Sequence, residues 1–203
     1  MPAIEEAIFA GVPVNVTLLF SREQYVAAAE AYLRGIERRI AGGLNPQVGS
    51  VASMFISRWD VAVAGKVPKT LENRLGVAIA GRIYRAYLEL LGNPRSQRAY
   101  NAGARPQRLL WASTGTKDPK APDILYIKAL ASPFTVNTMP EETLKALDDH
   151  GELGSIMTDD GDCENVLEQF AQAGVNVDSL AMQLQDEGAK SFHWRLIGLT
   201  VDV

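Results

Sequence analysis

The segment at residues 11–21, GVPVNVTLLFS, limits what this chain can fold into more than any other stretch of its sequence. Its residues alternate as in a β-strand, with Asn15 and Thr17 on the opposite face from Val14 and Val16. The sequence SREQ, which begins at the last residue of the segment, forms a capping box and predicts that a helix starts where the strand ends. A strand that leads directly into a helix is typical of α/β proteins, whose ligands bind at the carboxyl ends of the strands.

The order of strand and helix repeats four times along the chain. We predict strands at residues 11–21, 48–58, 108–113 and 134–138, and helices at residues 22–40, 70–91 and 95–103. A fourth helix is expected after a second capping box at Thr138, ending at His150. Residues 123–132 fit either a strand or a helix. Two short helices near residues 163–173 and 179–187 complete the pattern, which predicts a parallel sheet with right-handed crossovers.

The composition excludes several classes of protein. The 203 residues carry a formal net charge of -4 and no basic block, which argues against nucleic-acid binding. No apolar stretch reaches the roughly 18 residues that span a bilayer, so no membrane partner is expected. Cys163 is the single cysteine, which rules out an internal disulfide and favours a cytoplasmic location.

Each predicted strand has polar residues at its carboxyl end. In chain order they are Asn15, Thr17, Ser57, Arg58, Ser113, Thr116, Lys117, Asn137 and Thr138. In a closed β/α barrel these ends meet at one mouth, which carries the active site. Hydroxyls, amides and two cations suit a phosphorylated polyhydroxy substrate. Because histidine, a carboxylate pair and a metal-ligand cluster are missing from the set, we predict no metal and no cofactor.

Other interpretations of these residues stay open. Thr17 and Ser53 are also suited to fill a layer of a barrel interior, and Lys117 to a simple loop. Arg58 and Asp60 form a surface ion pair in another interpretation. The acidic turn at residues 158–162 does not fit a calcium loop, because the glutamate that ends such a loop is missing, and Asp162 is expected to cap a helix.

Four blocks of the sequence, in this order, resemble transaldolase. They are residues 11–21, 52–58, 105–119 and 135–140. The bacterial branch that also occurs fused to glucose-6-phosphate isomerase is the most similar. The resemblance covers roughly residues 1–190 and is specific because four blocks agree.

The resemblance implies a partial (β/α)8 TIM barrel of the class I aldolase type, containing the last four β/α units and a C-terminal helical tail. Transaldolases transfer a dihydroxyacetone unit between sugar phosphates in the pentose phosphate pathway. They convert sedoheptulose 7-phosphate and glyceraldehyde 3-phosphate into erythrose 4-phosphate and fructose 6-phosphate. A lysine on strand four forms a Schiff base with the substrate, and no cofactor is needed. The resemblance also favours a helix within residues 123–132.

The resemblance assigns roles to residues of this chain. Asn15 and Thr17 match the catalytic residues of strand five, which line the intermediate and hold a water molecule. The residues that match substrate- and phosphate-binding positions are Ser57, Arg58, Ser113 and Lys117. In this branch fewer residues separate the serine from the arginine that Arg58 matches. Lys117 stands where other branches have a second phosphate-binding arginine.

Strands one to four of the family have no counterpart in this sequence, and the Schiff-base lysine is missing with them. The first four residues, MPAI, resemble an internal stretch of the family, and the sequence after Phe192 departs from it. We therefore expect a truncated chain that is inactive in isolation. Residues 1–151 are expected to form the C-terminal half of the barrel, and residues 152–203 a helical segment of the same domain.

Two alternatives remain. The chain could be a non-catalytic half-barrel or assembly partner, whose open edges and inner face favour self-association. Alternatively, Lys117 itself is the Schiff-base nucleophile.

Overall fold

The computed structural model describes residues 1–152, 154–158 and 161–199, with side chains up to residue 191. In this part of the chain, four strands form one parallel sheet in the order β1-β2-β3-β4. The strands are β1 (Val14–Leu19), β2 (Ser50–Phe55), β3 (Arg108–Ala112) and β4 (Thr135–Asn137). Neighbouring strands follow one another along the chain with helices between them. The predicted α/β fold with a parallel sheet is thereby confirmed, and it is consistent with part of a TIM barrel.

Helices lie before, between and after the strands. They are α1 (Pro2–Phe9), α2 (Arg22–Ala41), α3 (Ser57–Val63), α4 (Leu75–Gly92), α5 (Pro94–Asn101), α6 (Leu125–Ala129), α7 (Glu141–His150), α8 (Cys163–Gln172) and α9 (Val177–Leu199), with a 3₁₀ turn at Lys69–Leu71. The helix expected within residues 123–132 is present as α6.

The predicted capping box at the start of α2 is confirmed. The Ser21 Oγ atom accepts a hydrogen bond of 3.2 Å from the Gln24 backbone N–H. The Gln24 side-chain oxygen accepts in return from the N–H groups of Phe20, at 2.8 Å, and Ser21, at 3.2 Å. These bonds satisfy backbone donors that the helix itself leaves free, so the strand-to-helix turn is fixed by local sequence.

One face of the sheet, the outer face, packs against the helices. Ala52, Met54, Leu109 and Trp111 point to this side, and each is fully buried. Their neighbours in the core include residues of α2 and α4. The opposite face, called the inner face here, carries Asn15 and the residues paired with it in neighbouring strands. Asn15, Thr17 and Arg108 are exposed on this face, whereas Ser53 and Ala112 are buried.

A β-bulge in β1 interrupts the strict alternation that the sequence predicts. Val16 pairs with Ala52 and Leu19 with Met54, so Thr17 and Leu18 together lie opposite one residue of β2. Leu18 has a φ of 58°, a backbone conformation that residues with a side chain seldom adopt. Strict alternation along residues 11–21 predicts that Leu19 shares a face with Asn15, and the bulge makes this prediction wrong. Leu19 is only 2% exposed, on the outer face.

Three predicted boundaries are also wrong. The second strand ends at Phe55, and Ser57 already begins α3. The helix predicted to start near residue 70 begins at Leu75, after a 3₁₀ turn. The capping box at Thr138 does not form, because its hydroxyl donates to the Trp111 carbonyl at 3.2 Å and α7 starts after Pro140 without a side-chain cap.

The last two helices pack against earlier elements of the fold. Helix α8 packs against α4, and α9 contacts β1. The Gln185 side chain in α9 donates to the Leu18 carbonyl at 2.9 Å and accepts from the Gln24 side chain at 3.2 Å. Asp162 precedes α8, but its carboxylate accepts from the Asn165 side chain and does not cap the helix. Asp159, Asp160 and residues 200–203 lie outside the described residues.

Candidate active site

The carboxyl ends of β2 and β3 bring two of the predicted site residues together. The Ser57 N–H donates to the Ser113 carbonyl at 2.9 Å, and the two hydroxyl oxygens lie 2.9 Å apart. Ser57 is 1% exposed, and Ser113 has a φ of 55°. Left-handed backbone at a serine is uncommon and is often found at functional sites. The pair therefore forms a fixed hydroxyl cluster at the strand ends.

Arg58 follows Ser57 in the first turn of α3. Its guanidinium carbon lies 5.2 Å from the centre of the Phe55 ring, within the range of a cation–π contact. Among the described residues, no carboxylate lies within ion-pair distance of Arg58. The half-buried arginine is therefore placed on an aromatic surface with its donors available to an anion.

Lys117 lies in the loop after β3 and is exposed. Together with Ser57 and Lys120 it lines a cavity of about 470 Å³. The loop is held in place by Asp118, which accepts from the Asn73 side chain at 2.7 Å and from the Lys120 N–H at 2.9 Å. The bond from Asn73 is the main reason that the pKa of Asp118 is lowered. This anchoring fixes the loop whose two lysines line the same cavity as Ser57.

Asp60 forms a buried anchor behind the serine pair. Its carboxylate accepts from the N–H groups of Leu75, at 2.9 Å, and Gly76, at 3.2 Å, at the start of α4. It also accepts from the Tyr126 hydroxyl at 2.7 Å. Burial raises the pKa of Asp60, although these three hydrogen bonds act in the opposite direction. Since Asp60 is 6% exposed and bonded elsewhere, a surface ion pair with Arg58 is excluded.

Asn15 and Thr17 both lie exposed on the inner face. The Ser53 hydroxyl donates to the Asn15 side-chain oxygen at 2.7 Å, which links β1 to β2. Ser53 is 2% exposed, which fits the interpretation that it fills an interior layer. Thr17 lies at the bulge and has no hydrogen-bond partner for its hydroxyl among the described residues. Asn15 is the second residue of β1, so it lies near the amino end of the strand and not at the carboxyl end that the sequence predicts.

The sequence did not reveal the structural roles of three residues that fix the geometry of the site. Asp60 and Tyr126 connect α3, α4 and α6. Thr114, which is fully buried, places its hydroxyl 2.7 Å from the Thr138 carbonyl and 3.0 Å from the Asn137 side-chain oxygen. For Asp60, the sequence did contain a signal, because an aspartate within an apolar stretch is expected to have buried hydrogen-bond partners.

Cys163 is a buried thiol at the start of α8. Burial is the main reason that its pKa is raised, with the Glu164 charge adding to the effect and the Arg85 charge opposing it. Among the described residues, no group of three or more histidine, cysteine, aspartate or glutamate side chains is arranged to hold a metal ion. No helix in the described part of the chain is long and apolar enough to cross a membrane.

Sequence comparison with known proteins assigns the chain to a family. Residues 1–199 match the family described as Transaldolase/Fructose-6-phosphate aldolase. The chain belongs to this family. Similar proteins include the transaldolases of Parafrankia sp. (strain EAN1pec), 41% identical over 202 residues, and of Neisseria meningitidis serogroup C (strain FAM18), 41% identical over 192 residues. The transaldolase of Thermobifida fusca is also 41% identical over 202 residues.

The match covers nearly all of this chain but only part of each relative. It includes 95%, 94% and 95% of the chain for the Parafrankia, Neisseria and Thermobifida proteins, and 55% of each relative's own length. The chain therefore spans about half the length of the transaldolases it resembles.

Proposed function

We propose that this chain supplies the substrate-binding half of a transaldolase active site. In this proposal a sugar-phosphate substrate contacts Asn15 and Thr17 on the inner face, and the intermediate forms on a lysine outside this chain. The substrate- and phosphate-binding residues are Ser57, Arg58, Ser113 and Lys117. The reaction is the transfer of a dihydroxyacetone unit between sugar phosphates in the pentose phosphate pathway.

The paired hydroxyls of Ser57 and Ser113 are the observation that carries the proposal. They lie 2.9 Å apart at adjacent strand ends. Arg58 follows Ser57 in α3, and Lys117 lies in the loop that follows Ser113. Hydroxyl groups bind sugar oxygens, and cations bind phosphate. This combination of groups at the carboxyl edge of a parallel sheet is suited to a phosphorylated sugar.

Lys117 is not suited to be the Schiff-base nucleophile. A lysine nucleophile is normally held in a pocket that excludes water from its amine. Lys117 is exposed in a loop. We therefore assign it to phosphate binding and place the nucleophile on the part of a transaldolase that this chain does not match.

Location and domain organisation follow from the same proposal. A cytoplasmic location fits a metabolic enzyme with a single cysteine. Residues 1–151 are proposed as the C-terminal half of a (β/α)8 barrel and residues 152–203 as a helical segment of the same domain. The contacts of α8 with α4 and of α9 with β1 support a single domain.

A chimaeric protein tests the proposed function. The part of the Thermobifida fusca transaldolase outside the match is fused to the amino end of this chain, and transaldolase activity is assayed with fructose 6-phosphate and erythrose 4-phosphate. We expect activity, and we expect Arg58→Ala to lower kcat/KM by about tenfold to a hundredfold, because charge-assisted hydrogen bonds to phosphate are lost.

Arg22→Ala is the matched control. Arg22 is an exposed arginine at the start of α2 whose ion-pair partner is its neighbour Glu23, at 3.7 Å. Its removal is expected to leave kcat/KM unchanged. A folded but inactive chimaera would contradict the proposal, as would equal effects of the two substitutions.

The second candidate is a non-catalytic half-barrel. Two features favour this alternative. The four-stranded sheet has two edge strands, β1 and β4, and its inner face has exposed residues, so the described sheet does not close into a barrel. Under this alternative the chimaera would fold without gaining activity.

A further inference from the structure

Helix α9 places a glycine beside the candidate phosphate-binding arginine. Gly188 is buried where α9 contacts β1. A Cβ atom at this position would lie 2.8 Å from the Leu18 Cδ2 atom and 3.6 Å from a guanidinium nitrogen of Arg58. Glycine is less favourable than alanine inside a helix, so a glycine there usually has a packing or functional reason. At Gly188, α9 meets Arg58 with its backbone alone.

Hydrogen bonds hold Gly188 in this position relative to β1. The Gln185 side chain, three residues earlier on the same face of α9, donates to the Leu18 carbonyl at 2.9 Å. It also accepts a hydrogen bond of 3.2 Å from the Gln24 side chain in α2. Because Leu18 lies in the bulge near the carboxyl end of β1, these bonds fix α9 against the strand at the level of Arg58.

The acidic residues of α9 next to Gly188 do not neutralise Arg58. Asp186 and Glu187 are exposed, and each is bonded to another residue of the same helix. Neither forms an ion pair with Arg58, which has no carboxylate within ion-pair distance in the described part of the chain. A carboxylate at the position of Gly188 would instead lie against the guanidinium and compete with any anion for its donors.

We propose that Gly188 is a specificity-determining residue, whose lack of a side chain keeps the Arg58 guanidinium accessible to the phosphate group of a sugar phosphate. The inference rests on the proposed function, which assigns phosphate binding to Arg58. Substitutions of Gly188 therefore affect the binding of phosphate more than the binding of sugar hydroxyls, which contact Ser57 and Ser113 in the proposed function.

Binding of inorganic phosphate to the full chain tests this proposal. The titration is followed by NMR through the backbone amide signals of Ser57 and Ser113. We expect Gly188→Asp to weaken phosphate binding at least about tenfold, because the new carboxylate pairs with Arg58 and repels the anion. Gly188→Ala is expected to weaken it by about threefold, because its methyl group crowds both Arg58 and the Leu18 side chain.

Ala189→Asp is the matched control. Ala189 is exposed and adjacent to Gly188, so it lies on a different face of α9 and the substitution makes the same change of net charge away from Arg58. We expect it to change phosphate affinity less than about twofold. Equal effects of Gly188→Asp and Ala189→Asp would overturn the proposal.

Circular dichroism of each variant establishes whether the fold is retained. If Gly188→Asp does not fold, Gly188→Ala replaces it, since the atom nearest to the new Cβ is a methyl carbon at the end of the flexible Leu18 side chain. Unchanged phosphate affinity in folded Gly188→Ala would then overturn the proposal.

A double-mutant cycle separates an effect on Arg58 from a general loss of structure. In the Arg58→Ala background, Gly188→Asp is expected to have no larger effect on phosphate binding than Ala189→Asp, because the partner of the new carboxylate has been removed. An effect of Gly188→Asp that persists unchanged without Arg58 would contradict the proposal.

The chimaera provides a second readout and separates the inference from the proposed function. Gly188→Asp is expected to lower the ratio of kcat/KM for fructose 6-phosphate to kcat/KM for unphosphorylated fructose at least about tenfold. An unchanged ratio would overturn the role of Gly188. If Arg58→Ala weakens phosphate binding and Gly188→Asp does not, only the inference is wrong. If Arg58→Ala leaves phosphate binding unchanged, the proposed function itself is wrong.

Discussion

Asp60 shows how a single buried residue positions the candidate site. It lies one helical turn after Ser57, and its three hydrogen bonds attach α3 to α4 and to Tyr126. Gly76 is required for this arrangement, because a Cβ atom there would lie 2.8 Å from the Asp60 carboxylate and 2.8 Å from the Ile56 carbonyl. The orientation of Ser57 and Arg58 thus depends on a residue that need not touch the substrate.

Removing the Asp60 carboxylate is expected to destabilise the fold strongly. Asp60→Ala leaves two backbone N–H groups and the Tyr126 hydroxyl buried without a partner, and we expect a loss of about 3 kcal/mol in the free energy of unfolding. Tyr126→Phe removes one hydrogen bond and is expected to cost about 1 kcal/mol. Urea unfolding of both variants measures these losses. Equal stability of wild type and Asp60→Ala would show that the anchor has no structural role.

Some backbone conformations at the residue scale could not be predicted from the sequence. Leu18 and Ser113 both adopt positive φ, although neither residue type favours it. The energetic cost of this backbone conformation is offset at Ser113 by the hydrogen bond that its carbonyl accepts from the Ser57 N–H. At Leu18 the carbonyl accepts a hydrogen bond from the Gln185 side chain. These partners are distant in sequence, so no local sequence pattern predicts the two conformations.

At the scale of elements, a sequence motif predicted the structure correctly where all of its hydrogen-bond partners lie within a few residues. The capping box at Ser21 was confirmed because its two partners are three residues apart. The similar pattern at Thr138 failed because the Trp111 carbonyl, in the neighbouring strand, competes for the same hydroxyl. The alternation of strands and helices predicted the parallel sheet, whereas the bulge in β1 depends on contacts that the sequence does not reveal.

Helix α9 is expected to depend on Gln185 for its attachment to β1. Gln185→Ala removes its hydrogen bonds to Leu18 and Gln24, and we expect the local stability of α9 to fall by about 1 kcal/mol. Hydrogen exchange of the α9 amides measures this as faster exchange.

Gln183→Ala provides the control for α9, because Gln183 is exposed and its side chain donates only to Glu187 of the same helix, at 2.8 Å. Its exchange rates are expected to match those of the wild type. Equal acceleration in both variants would mean that Gln185 does not attach the helix to the sheet.

At the scale of the whole molecule, the sheet has one covered face and one open face. The covered face contains the core, including the fully buried Trp111 and Met54. The inner face exposes the candidate catalytic residues Asn15 and Thr17 together with Arg108. In the proposed function, these exposed groups are the ones available to a sugar-phosphate substrate.

Trapping of the Schiff base tests most directly whether the nucleophile lies outside this chain. The chain alone and the chimaera are treated with borohydride in the presence of fructose 6-phosphate, and adducts are located by mass spectrometry of peptides. We predict no adduct on the isolated chain, and in the chimaera an adduct on a lysine of the added transaldolase segment. An adduct on Lys117 of the isolated chain would contradict the account.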